Sequence, residues 1–174
     1  DYALLVGSYT RLEQPMINHR LRKSSLNGAT IDVINSMSFN YNLPINSEYI
    51  LNSSQIANLL ARTLKAILLS KEQEIPGYLD KFKVSDADTQ LANKLLSSDK
   101  SAIILGEHLI NSDNSSNIAN LISIIAEKTS SSTLNLSETG NSIAAKSTGF
   151  VPNENGLDAN EMLASKMNAY ILLD

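Results

Sequence analysis

Three short apolar runs constrain this chain more than any other feature. They are YALLVG (residues 2–7), ATIDVIN (29–35) and SAIILGE (101–107), and two of them close on a glycine. Each adjoins a segment whose apolar residues recur at intervals of three and four. Runs this short and this apolar suit strands buried on both faces. Strands alternating with helices imply βαβ units and a parallel sheet.

Two further runs, STLNLSE (132–138) and NAYILLD (168–174), read as strands four and five. A helix is expected from Pro15, since proline suits a first turn. Met16, Ile17, Leu21 and Ser24 form its inward stripe, and Asn27-Gly28 supplies the stop. A long helix spans about Ser53 to Ser70, with Ile56, Leu59, Leu60, Leu64, Ile67 and Leu68 inward. Another runs from about Ala87 to Ser97, capped by Asp86, with Leu91, Leu95 and Leu96 inward. A later one carries Ile118, Leu121, Ile122 and Ile125, and Asp158 with Glu161 marks a short helix by its capping-box spacing. Ser36 to Leu51 lacks a period and reads as loop. The expected fold is therefore α/β: a doubly wound, mostly parallel sheet of about five strands with helices on both faces, Rossmann-like.

The 174 residues suit one domain or most of one. A chain of that size buries roughly 70% of the surface it exposes when unfolded, so no disulfide is needed. None is available, because the chain has no cysteine. That also removes thiolate metal sites and four-cysteine iron–sulfur clusters. A net charge of −4 argues against a nucleic-acid partner. The longest apolar runs, four to six residues, fall far short of the ~20 that span a bilayer. Nothing at the start reads as a signal peptide. The chain begins at Asp1 without methionine and ends in a strand-like run, so a piece of a longer protein is expected.

The loop after the first run, GSYTRLEQP, has the place of a phosphate-binding turn. A helix N-terminus after a strand attracts anions in any such fold, so the position alone means little. A dinucleotide site needs G-x-G-x-x-G and an acid at the tip of the second strand. Here only Gly7 is present, the second strand ends in Asn35, and Asp32 lies inside it. No G-x-x-x-x-G-K-[ST] occurs. His19, Arg22 and Lys23 share an exposed helix face, read as solvated or subunit-facing. Arg20 falls on another side, within reach of Glu13. His108 follows Glu107 past a strand end without a nucleophile motif, so no catalytic role is expected. Asp113, Asp158 and Glu161 read as helix caps rather than metal ligands.

The block DYALLVGSYTRLEQPMINHRLRKSSLNGATIDVI resembles the large iron–sulfur subunit of NADH:quinone oxidoreductase, respiratory complex I. Gly7, Ser8, Arg11, Glu13, Pro15, Asn18, Arg20, Arg22 and Lys23 occupy the places of that family's motif, while Tyr9 and Thr10 replace its usual Asn-Pro. The segments from Ser98 to Glu127 and from Ser147 to Asp174 agree as well. The resemblance implies the subunit's C-terminal domain, related to molybdopterin oxidoreductases, without the cysteine-rich part that carries 2Fe–2S and 4Fe–4S clusters. It implies that no cofactor sits in this piece and that the loop around Gly7, Ser8, Arg11 and Glu13 is vestigial. The implied partners are other peripheral-arm subunits, with no membrane insertion. The implied place is the cytoplasmic face of a bacterial inner membrane or the matrix side of the mitochondrial one. The alternative is a cofactor-binding domain of a molybdopterin-dependent oxidoreductase.

Overall fold

A computed structural model describes residues 1–110, 112, 114–136, 142–150, 152–153 and 156–171. Five strands form one sheet: β1 (Tyr2–Val6), β2 (Thr30–Asn35), β3 (Ser47–Ile50), β4 (Ser101–Leu105) and β5 (Ser132–Asn135). All pairings are parallel and the order is β3-β2-β1-β4-β5. β1 lies at the centre with all five residues buried, which is why its sequence is apolar throughout.

Side-chain alternation divides the core into two. Tyr2, Leu4, Val6, Ile34, Ile103 and Leu105 face α3 (Ser53–Ser70), α4 (Asp86–Ser97) and α6 (Ser115–Thr129). Ala3, Leu5, Ile31, Val33 and Ile104 face the other way, toward Leu21 of α2 (Pro15–Leu26) and Tyr41. The expected layering, helices on both faces of a parallel sheet, is observed. α3 has the anticipated bounds because Asn52 and Gln55 form a reciprocal capping box at its start. All six residues of its expected stripe are buried.

Three local expectations are corrected. Residues 47–50 are strand, not loop. β3 pairs on one side only, so half its residues face water and no apolar run announces it. The cap of α4 is Ser85, not Asp86: the Ser85 hydroxyl accepts from Asp88 N while Asp88 accepts from Ser85 N. Asp88 is fully buried and also takes the Arg62 Nε–H, tying α4 to α3. In α2, Ile17 and Leu21 point inward as expected, but Met16 and Ser24 are exposed and Asn18 is buried in their place.

The chain divides into two compact units, residues 1–138 and 139–174. The second holds α7 (Ser142–Ser147) and α8 (Ala159–Ala164), the latter started by the expected Asp158–Glu161 capping box. Asn168–Ile171 are not strand, and Leu172, Leu173 and Asp174 lie outside the described residues. The Tyr170 hydroxyl donates to Met162 O and Ser165 O. β-prone residues become a strand only beside a sheet edge that supplies partners. The fifth strand is thus β3, drawn from the middle of the chain.

Candidate functional site

In this strand order the direction of winding reverses at β1, between β2 and β4, and the carboxyl ends of β1 and β4 meet there. Gly106 N donates to Val6 O and Gly7 N donates to Ile34 O, both at 2.8 Å. Gly7 has φ +67, a turn that glycine makes without strain. The space beside both glycines is filled. A Cβ at Gly106 would lie 2.0 Å from Gly7 O, and one at Gly7 would lie 2.3 Å from Leu109 Cγ. Leu109 is buried and belongs to α5 (Glu107–Ile110), a single helical turn after Gly106.

On the β2 side the loop is closed by its own side chains. Glu13, at the end of α1 (Thr10–Glu13), accepts from Ser8 Oγ at 3.0 Å and from Tyr9 N at 2.9 Å. Its carboxylate therefore holds the donors that an incoming phosphate would use. Asn35, at the tip of β2, donates to Ser8 O at 3.1 Å and to the Tyr41 hydroxyl at 3.2 Å, and accepts from Ser36 N at 2.9 Å. The Tyr41 hydroxyl donates to Ser8 O at 2.9 Å.

The 36–46 segment is fastened over this loop. Tyr9 and Phe39 stack at 4.4 Å, and Tyr41 meets both edge-on. Thr10 donates to Asn18, Asn18 donates to Tyr41 O, and Arg11 Nη1 donates to Asn40 O. What remains open is a recess of about 180 Å³ lined by Ser8, Glu13, Asn35, Phe39 and His108, among others. Pockets that take cofactor-sized ligands run about 300–1,000 Å³. No described buried side-chain nitrogen or oxygen lacks a hydrogen-bond partner.

Burial raises the Tyr41 hydroxyl to about 12, partly opposed by the Asn35 hydrogen bond. An unfolded tyrosine titrates near 10. The folded pKa is raised, so this stabilisation is complete below about pH 10 and is lost as pH climbs toward 12. Tyr2 is raised in the same direction, first by burial and then by Asp32. Urea midpoints are therefore expected to hold level from about pH 7 to 9 and to fall above about pH 10, with a shallower fall in Tyr41→Phe. An identical decline in that variant would refute the assignment.

Of the residues singled out from sequence, Gly7, Ser8, Glu13 and Asn35 come together here, with His108 exposed at the rim. Arg11 faces Asn40, and Glu13 is engaged with Ser8 and Tyr9 rather than with Arg20. His19, Arg20, Arg22 and Lys23 are all exposed. Arg20 shares the outer side of α2 with Met16 and Lys23 instead of standing apart. Asp113 lies outside the described residues. Asp158 and Glu161 cap α8, and Asp32 is buried inside the sheet. Among the described residues no group of three His, Cys, Asp or Glu is placed to hold a metal. Tyr41, Phe39 and Leu109 had no sequence signal beyond an aromatic-rich loop and a lone leucine.

The topology and closed crossover loop define a doubly wound, Rossmann-like nucleotide-fold domain. Within that class the chain belongs to the molybdopterin oxidoreductase family, whose sequence model matches residues 1–174. No curated protein matches the chain. A pterin dinucleotide, the group this family implies, fits the described loop poorly. Its phosphates would face the Glu13 carboxylate, and Asn35 has no amide group left to turn toward it.

Proposed function

We propose that this chain is a scaffolding α/β body of the large iron–sulfur subunit of NADH:quinone oxidoreductase. In this reading it supports the electron-carrying part and contacts neighbouring peripheral-arm subunits. It neither ligates a cluster nor binds NADH. The observation that carries the reading is the self-saturation of the β1 loop: Glu13 takes the Ser8 and Tyr9 donors, and Leu109 fills the space beside Gly7. The absence of cysteine and the motif from Gly7 to Lys23 support it.

The second reading, a cofactor-binding domain of a molybdopterin-dependent oxidoreductase, is favoured by the family match. Calorimetric titration of the chain with guanosine di- and triphosphate separates the two. Under the scaffold reading no saturable binding is expected below about 1 mM; a Kd under about 10 µM, abolished by a bulky residue at Ser8, would favour the cofactor reading instead. Separately, the full-length subunit is expected to co-purify with NADH:quinone oxidoreductase activity.

A further inference from the structure

The outer face of α2 carries cations and apolar side chains together. Met16, His19, Arg20, Lys23 and Leu26 fall at helical spacing opposite the half-buried Ile17 and the buried Leu21. Met16 is 70% exposed and Leu26 71%, and α1 adds Leu12 at 75%. From Arg11 to Lys23 the formal charge is +3, four cations against Glu13; with a chain total of −4, the other residues carry −7. Positive charge is thus concentrated on the α1–α2 segment of a chain that is acidic overall.

Two flanking guanidiniums are already oriented. Arg11 Nη1 donates to Asn40 O at 3.1 Å and Arg22 Nη1 donates to Asn42 O at 3.0 Å. Each keeps further N–H groups for a carboxylate in a set direction, so less side-chain entropy is lost on docking. Exposed methionine and arginine are also residue types enriched at protein interfaces.

We propose that the outer face of α1 and α2 is a docking surface for an acidic segment of another protein chain, with Met16 and Leu26 packing against apolar residues between its carboxylates. This rests on the reading of the chain as a scaffold in a larger assembly. An anionic bilayer fits less well, because an extended anionic plane does not favour a chain of net charge −4, whereas a protein segment needs complementarity only locally. A second copy is less suited, since the same basic face would meet its own charge in a two-fold contact.

The test places a photoreactive amino acid at position 16 of the full-length protein in its native cells, with cross-linked peptides read by mass spectrometry. The expected adduct joins position 16 to an Asp- and Glu-rich segment of a different polypeptide. The double variant Arg20→Glu with Lys23→Glu is expected to lower its yield at least about tenfold while leaving the thermal midpoint unchanged. Adducts only with lipid or a second copy would overturn the proposal, as would an absent adduct or an unchanged yield in the double variant. The partner's identity separates the two claims. An acidic partner outside NADH:quinone oxidoreductase leaves the docking surface standing and refutes the scaffold reading. Co-purification with that enzyme without an adduct does the reverse.

Discussion

Gly106→Ala is expected to unfold the 1–138 unit or to cost it more than about 3 kcal/mol, the upper range for overpacking a rigid site. The new methyl would lie 2.0 Å from Gly7 O and 2.6 Å from Gly7 C. Both are backbone atoms of the central strand's exit, held by the Gly7 N–Ile34 O and Gly106 N–Val6 O bonds. No side-chain rotation relieves such a contact, so β1 and β4 must part. Gly28→Ala is the matched control. Nothing lies within 4 Å of its Cβ position, and only its φ of +94 is unfavourable. That conformational cost is about 1–2 kcal/mol. Guanidinium unfolding of both variants gives the comparison; similar midpoints for the two would remove the close approach of the two loops from the account.

Lys94→Met has the second large effect. Asp32 is fully buried on the inner face of β2, yet it is an acid. It accepts from Lys94 Nζ at 2.6 Å, Tyr2 OH at 2.9 Å and Asn46 Nδ2 at 2.8 Å. Removing the cation leaves a buried carboxylate with two neutral donors. Stranding one member of a buried pair costs about 3–5 kcal/mol. Lys94 is itself 28% exposed, so water reaches the pair and about 3 kcal/mol is expected. Asp32→Asn combined with Lys94→Met should recover most of this loss, since no charge is then left inside. A double variant no more stable than Lys94→Met alone would show that the lysine acts through packing.

Asp32 also illustrates how far sequence reasoning reached. Its position inside a strand was legible, and so was its failure to serve as an acid at the strand tip. Its purpose was not, because Lys94 lies 62 residues away and joins it only when α4 packs over β2. Glu13 behaves likewise. The motif placed it beside the β1 loop, but spacing along a helix suggested Arg20 as its partner. The chain instead breaks between α1 and α2, with Gln14 at φ −138, and Glu13 turns back to Ser8 and Tyr9. Ser85 was missed as a cap because Ser, Asp and Asn serve almost equally well, and adjacent candidates differ only in backbone angle.

The strand count was right for partly the wrong reason. Buried strands declare themselves by unbroken apolar runs. An edge strand such as β3 does not, and NAYILLD has the composition of a strand although its described residues, 168–171, are not strand.

By itself the sequence determined the layered α/β class, the long amphipathic α3 and the inability to hold a thiolate cluster. These follow from local periodicity and from which atoms are present, neither of which depends on distant contacts. That the loop after β1 spends its donors internally and keeps only a small recess emerges from long-range packing alone. Leu109, Tyr41 and Phe39 narrow it, brought to Gly7, Ser8 and Tyr9 by strand order and by the 36–46 segment. Contacts between residues roughly 30 to 100 positions apart leave no periodic trace in the chain, because they are selected by packing rather than by neighbours in sequence.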